Sequence, residues 1–373
     1  MERRDFFQSG FAAGLLGLGG TAVLPSVLSA SPRRLADGSV RLSSNENPLG
    51  ISPAARTAIV EGLDLANRYP GASKAPVVDA LAAKHGVAPK NILMGNGSTE
   101  VNQMFVQLFA RVRLVTAHPT YEDVGRYAAP FALPVTQVPL RADYSHDLDR
   151  MKEVVDRSSG PTMVYICNPN NPTATVTSSA EIDSWIASAP DNVYFLMDEA
   201  YYEYAEEDPS YWSALKWVPD NPNVIVVRTF SKIFGMAGMR LGYAVAHEDT
   251  IGRVGAIASY NNTNHFACVA ALASLQDDAL VERSVDVNAR ARSVLEDALD
   301  ELDIERLPSR TNFLMHRIQG DLRSYIDRMK ERGWLVGRPF PPMLSYNRVS
   351  FALPEDMARF AETLRDFRSH GYV

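Results

Sequence analysis

Paired histidines are missing from this sequence. Its seven histidines are scattered, and no H-x-H or H-x-x-x-H spacing sets two on one strand or helix face, so no metal centre is signalled. Cysteine is nearly absent. Cys167 and Cys268 are the only two, which excludes a disulfide-stapled scaffold. They read as separate thiols, one beside a possible site and one in a core helix; sequence leaves a single bridge between them open. There is no basic block. Formal charge is −7, from 37 basic and 44 acidic residues, which argues against nucleic acid as a partner. Internal repeats, low-complexity stretches and an appended helix-turn-helix segment are also lacking. What remains is 373 residues, 46% hydrophobic and 22% charged, enough for one large core or two adjoining domains.

The first thirty residues stand apart. "MERRDFFQSGFAAGLLGLGGTAVLPSVLSA" has a charged head, an apolar Gly/Ala/Leu run from Gly10 to Leu24, and small residues near Ser29 and Ala30. That order is the pattern of an export signal. Arg3-Arg4-Asp5-Phe6-Phe7 resembles a twin-arginine signal, which implies a periplasmic protein exported after folding. The run is short and glycine-rich for a membrane span, so no stable anchor is expected once it is removed. If the segment is no signal, the protein stays in the cytoplasm.

From Asn91 onward the pattern alternates. "NILMGNG", "VRLVTAHP", "TMVYICNP", "NVYFLMDEAY", "NVIVVRTF" and "RLGYAVAH" read as buried strands, and helix-period segments lie between several of them. An α/β fold with a mainly parallel sheet covered by helices follows. A helix over Asp278–Leu302, then "TNFLMHRI", a helix near 321–332, "WLVGRPF", "NRVSFAL" and a last helix from Pro354 suggest a smaller α+β domain. The expected division is 1–30 export signal, 31–70 N-terminal segment of the small domain, 71–278 large domain, and 279–373 linking helix and small domain.

Ligands of such sheets sit beyond the carboxyl ends of the strands. The unusual polar residues cluster there: Gly97-Ser98-Thr99, Tyr121, Asn168 to Thr173, Asp198 to Tyr201, and Ser231-Lys232. Lys232 alone reads as a surface lysine at a turn. Its neighbours Gly235, Gly238 and Gly242 suggest close backbone packing instead. Asp198 ends an apolar strand, where an unpaired charge is costly; it also suits a helix N-cap. Asn171 alone suits a plain turn. "GNGSTE" places free N–H groups at a helix start, apt for phosphate, but lacks the third glycine of a dinucleotide fingerprint.

Taken in order, Gly-Ser-Thr, Pro-Thr-Tyr, Asn-Pro-Thr, Asp-Glu-Ala-Tyr, Ser-Lys and Arg resemble the pyridoxal-phosphate aminotransferases of fold type I, class I/II. The spacing agrees: 27 residues from Asn171 to Asp198, 34 on to Lys232, eight on to Arg240. "SSNENPLG", "RYPG", "NPNNPT", "DEAYYEY" and "SKIFGMAGMRLGY" resemble the histidinol-phosphate aminotransferase-like branch. The resemblance covers the whole chain after the signal. It implies that Lys232 holds pyridoxal 5'-phosphate covalently and that Asp198 pairs with the ring nitrogen. Asn171 and Tyr201 would bond the ring oxygen, and Tyr121 would stack on the ring. Gly97, Ser98, Thr99, Thr229, Ser231 and Arg240 would cradle the phosphate. Tyr69 would reach the phosphate of a partner subunit, which implies a homodimer with shared sites. Arg348 matches the arginine for the substrate α-carboxylate, Arg338 one for a distal group, and Asn47 lies on a segment closing over the site. Ala174 departs from the family's glycine, a cost if that position needs a positive φ.

The reaction implied is transfer of an amino group from an α-amino acid to a keto acid at one site in turn, with ping-pong kinetics. A decarboxylase, lyase or oxidase on the same fold is the rival, and an exported non-catalytic binder of the cofactor a second.

Overall fold

The structure, a computed structural model, describes residue 35 and residues 37–373. The expected export segment, 1–30, lies outside the described residues. Eleven strands are formed among those described: β1 (Val40–Arg41), β2 (Ile92–Gly95), β3 (Arg113–His118), β4 (Val135–Pro139), β5 (Thr162–Cys167), β6 (Val193–Asp198), β7 (Val224–Thr229), β8 (Gly242–Ala246), β9 (Phe313–Arg317), β10 (Trp334–Leu335) and β11 (Tyr346–Ser350).

Seven of them make one sheet in the order β2-β8-β7-β6-β5-β3-β4. β8 runs antiparallel to both of its neighbours, and the other pairs are parallel. The central strands are apolar on both faces because both are covered. On β5 and β6, Val164, Ile166, Phe195 and Met197 join a core with Val77, Met151, Ile182 and Trp185 from helices on one side. The alternate residues Met163, Tyr165 and Leu196 join a second core with Val101, Phe105 and Val254 on the other. β4 was not legible as a strand. It is an edge strand, exposed at three of its five positions, so it lacks the apolar run that marked the others. "RLGYAVAH" is a strand as expected, but an inverted one. Inversion brings its leading residue, Arg240, to the rim where the parallel strands end.

The C-terminal part is built on β9 and β11, an antiparallel pair, with the long helix Ala279–Glu301 and the helices Leu322–Glu331 and Pro354–Ser369. Leu295, Leu314, Tyr325, Trp334, Val349, Phe360 and Leu364 close its core. "WLVGRPF" contributes only the two residues of β10, paired with β1. Residues 37–70 do not go to one side. Leu42 enters the small core, whereas the helix Pro53–Glu61 packs on the helix His265–Leu275 and places Ala55 in the core beneath the sheet. Cys167 and Cys268 are both buried and free, with no bridge between them.

Candidate active site

Two adjoining compartments open at the rim. The inner one, about 230 Å³, is lined by Ser98, Thr99, Asp198, Tyr201, Thr229, Ser231, Lys232 and Arg240, with Tyr121, Cys167 and Asn171. The outer one, about 330 Å³, shares Ser44, Tyr121, Asn171 and Lys232 with the first and adds Asn45, Thr120, Glu122, Arg338, Phe340 and Arg348. Lys232 stands where they meet.

The helix Gly97–Leu108 starts at the end of β2. Its first N–H groups have no intrahelical acceptor and face the inner compartment's side with Ser98 and Thr99. Gly97 has φ 80°, and a Cβ there would stand 2.4 Å from Nη2 of Arg240. Glycine is thus what admits the guanidinium. Arg240, itself at φ 56°, donates to Ser231 Oγ at 3.4 Å and to the Ala237 carbonyl at 2.9 Å. Gly242 and Gly235 justify the close packing expected of them: a Cβ on the first would meet Ser98 N at 2.2 Å, and on the second Gly50 O at 2.1 Å. Gly238 does not, having nothing within 4 Å.

The Lys232 amine donates to the Asn45 carbonyl at 3.3 Å and lies 5.6 Å from the centre of the Tyr201 ring. Burial pushes its pKa down to about 8, helped by the positive charge of Arg348. Asp198 is 2% exposed. Its Oδ2 accepts from Asn102 Nδ2 at 3.0 Å and Tyr165 Oη at 2.9 Å, and its Oδ1 from the Ala200 N–H at 3.2 Å. Burial raises its pKa and these bonds oppose the rise. Asp198 caps no helix with its side chain; it makes no ion pair among the described residues.

Tyr201 Oη accepts from Asn45 Nδ2 at 3.0 Å and from Asn171 Nδ2 at 3.3 Å. Tyr121 donates to Asp123, and burial pushes both phenols up. Asn171 Oδ1 accepts from Arg348 Nη1 at 2.7 Å, and Arg348 Nη2 donates to the Ser43 carbonyl at 2.6 Å. The Arg348 guanidinium lies 4.6 Å from the Phe340 ring centre, its Nε has no partner, and no carboxylate pairs with it among the described residues. Burial lowers its pKa to about 10. Arg338 instead pairs with Glu122 at 2.7 Å across the outer mouth.

Two expected residues lie elsewhere. Asn47 is turned away from the cavity, donating to the Ile233 carbonyl at 2.7 Å and Ser284 Oγ at 3.1 Å; its neighbours Ser44, Asn45 and Glu46 line the compartments instead. Tyr69 is 83% exposed and outside both compartments. Sequence reading missed Asn102, Tyr165, Asn45 and Glu122. Asn102 carried a signal, a carboxamide between Val101 and Phe105 on an otherwise apolar helix stripe; the other three did not. Ala174 has φ 66°, so the position does take the conformation that favours glycine.

The residues fit pyridoxal phosphate on three observations. A buried carboxylate lacks a cation, a lysine amine depressed towards neutrality lies in the same cavity, and an arginine with a helix start forms an anion cradle that a Cβ would fill. A parallel-rich sheet presenting these groups at one rim defines a pyridoxal-phosphate enzyme of fold type I. The chain belongs to the aminotransferase class I and II family, whose profile matches residues 37–364, and transaminates with pyridoxal phosphate as its cofactor. It is 36% identical over 299 residues, 80% of each chain, to a histidinol-phosphate aminotransferase of Halalkalibacterium halodurans. A crystal structure from Erwinia carotovora atroseptica superposes with TM-score 0.88 at 38% identity, covering 90% of this chain and 98% of the other. The histidinol-phosphate aminotransferase of Sinorhizobium meliloti in complex with pyridoxal-5'-phosphate superposes with TM-score 0.83 at 26% identity, covering 89% and 91%.

Proposed function

We propose that the two compartments divide the work: the inner holds the cofactor and the outer an α-amino acid or related amine, then a keto acid. The observation that carries this is the pair of buried, unmatched charges, Asp198 in the inner compartment and Arg348 in the outer, with Lys232 at their junction. Pyridoxal phosphate, when bound, supplies an aldehyde and an electron-withdrawing ring that stabilises negative charge at a substrate α-carbon. Asp198 would balance the proton of the ring nitrogen, Asn171 and Tyr201 would bond the ring oxygen, and Tyr121 would lie beside the ring. The helix start, Thr229, Ser231 and Arg240 would hold the phosphate. Arg348 binds the α-carboxylate through its two terminal nitrogens and so orients the α-hydrogen. Lys232 Nζ, its pKa lowered by burial to about 8, is the group at the junction that takes that proton from the α-carbon.

Histidinol phosphate, the substrate in the relatives' names, carries a phosphate ester where an α-amino acid carries its carboxylate, and a guanidinium such as Arg348 accepts either anion. The two donor classes are therefore separated by experiment. Tyr69, with Leu63 and Leu65, forms an exposed apolar stretch that supports a homodimer in which Tyr69 completes the neighbouring site. The Arg3-Arg4 segment supports export to the periplasm by the twin-arginine route.

The test is a donor screen. Purified holoenzyme is mixed with single amino acids, and with histidinol phosphate, in the absence of any keto acid. The visible band of the bound cofactor should convert to the amine form with its preferred donor, and Lys232→Ala should show neither the band nor repeated turnover. Carbon dioxide or ammonia released without that conversion rejects transamination in favour of a decarboxylase or lyase.

A further inference from the structure

We propose that Asn102 and Tyr165 are positioning residues for the cofactor: together they hold the Asp198 carboxylate ionised and in one orientation for the ring nitrogen. The proposal rests on the cofactor assignment above and goes beyond it.

The juxtaposition is set by the fold. In the sheet register Cys167 lies opposite Asp198, and Tyr165 opposite Leu196. Side chains alternate across a sheet, so Tyr165, Cys167, Leu196 and Asp198 share one face. That face is covered by the helix Gly97–Leu108, whose Val101 and Phe105 join Tyr165 and Leu196 in one core. Asn102 follows Ser98 by four residues, one turn deeper along the same helix stripe. The helix that offers its first turn to the inner compartment thus offers its second to Asp198.

The hydrogen bonding is asymmetric. Oδ2 of Asp198 accepts from both Asn102 and Tyr165, while Oδ1 accepts only from the Ala200 N–H. Two side-chain donors tether one oxygen, and the other keeps acceptor capacity. Both donors are fully buried. An ionised carboxylate accepts from both at once, which a protonated one does less well.

Asn102 also carries a cost that packing does not explain. Its Oδ1 is buried with no hydrogen-bond partner. A leucine of similar volume would remove that orphan and suit a helix among Val101, Met104 and Phe105. What leucine lacks is the N–H aimed at Asp198. A group retained at a stability cost, donating to the one unmatched carboxylate of the compartment, is assigned to that carboxylate.

Several other groups face Asp198 and bear on its titration. Tyr165 and Cys167 come from β5, Tyr121 from the loop after β3, and Lys232 from the loop after β7. Tyr121, Tyr165 and Cys167 are pushed up by burial and stay neutral in acid. Glu46 is the other carboxylate lining the compartment. It is common to all variants, so a difference between variants isolates Asp198.

The experiment is titration of apo-protein with pyridoxal phosphate across pH 4.5–8.5, with melting temperature of the apo form measured beside it; the pH range spans about four units around the carboxylate and amine regions. Asn102→Leu should melt at or above the wild-type temperature. Its cofactor dissociation constant should rise about tenfold near neutral pH, and its acid-side loss of affinity should begin about one pH unit higher, the size expected for one hydrogen bond to a charge. Tyr165→Phe should shift in the same direction, and it carries the test alone should Asn102→Leu fail to fold. A lower melting temperature with wild-type affinity and pH profile would make both residues purely structural and overturn the proposal. Wild-type protein that takes up no cofactor would instead overturn the assignment on which it rests.

Discussion

Gly242 is the position where the site's geometry is most exposed to a single methyl group. The glycine opens β8 and pairs with Gly95 at the end of β2. A Cβ there would stand 2.2 Å from the Ser98 nitrogen and 2.6 Å from the Gly97 carbonyl carbon, where ordinary contacts begin at 3.4 Å. Both obstructing atoms are backbone, so no rotamer change relieves the clash. The helix start must retreat by about 1 Å, against the hydrogen bond that ties the Asn96 N–H to Glu100. Overpacking of this kind costs about 1–3 kcal/mol. Gly242→Ala should therefore lower the apo-protein's resistance to heat and urea, and weaken pyridoxal phosphate binding more than tenfold by displacing the N–H groups of Ser98 and Thr99 (about 1.4 kcal/mol per factor of ten). Gly238→Ala is the control four residues away. Nothing lies within 4 Å of its added methyl, so both readouts should stay within about 0.5 kcal/mol of wild type. If the two variants behave alike, the close approach of β8 to the helix start does not shape the cradle.

Arg348→Lys should lower kcat/KM for an amino acid donor by about 10- to 100-fold, through the loss of charge-assisted bonds that an ammonium cannot make in pairs. An amine substrate lacking the carboxylate should be indifferent to it, and equal losses for both would remove Arg348 from substrate binding. Glu122→Gln releases Arg338 from its only ion pair among the described residues. KM should fall for donors with an anionic side chain and stay put for apolar ones in steady-state assays; a uniform change would disconnect the pair from selectivity. Lys232 is protonated up to about 10.5 when unfolded but only to about 8 in the folded apo-protein. Between these values the unfolded chain binds more protons, so the apo-protein gains stability as pH rises from 8 to 10.5. Calorimetry should find this rise in wild type and a smaller one in Lys232→Met; identical slopes would place the lysine in solvent.

The cofactor side of the site was legible because its residues sit at strand ends, where an apolar run stops abruptly at Asp198, at Thr229 or before Asn168. Chain order then lists them in the order the sheet assembles them. The outer compartment was harder. Arg348 could be found from "NRVSFAL", but nothing in "PTYED" shows that Glu122 would meet Arg338, 216 residues away. Asn47 was expected on a segment closing over the site, yet folding turned it to Ile233 and gave the cavity to Ser44, Asn45 and Glu46. Asn102 showed only as a carboxamide on an apolar helix stripe, and Tyr165 not at all, for a different reason. Each lies within an apolar stripe, and only the parity of β5 and β6 against the helix decides that both meet one carboxylate. The turn at Ala174 was a conditional expectation. The positive φ is there, and the neighbouring bonds from Ala174 N to Asn170 O at 2.8 Å and from Arg310 N to Ala174 O at 2.9 Å hold it.

The loop bearing Lys232 is clasped by residues from the two far ends of the chain. Asn47 grips the carbonyl of Ile233, Gly50 abuts Gly235, and the same short stretch is sewn to the last strand through Ser350 and Arg348 and to Asn312 ahead of β9. A ribosome that has released only the first three hundred residues has made the lysine but not its housing. A chain cut short before Arg348 would lack both groups of the last strand, Arg348 and Ser350, that fasten the stretch 43–45 over the lysine.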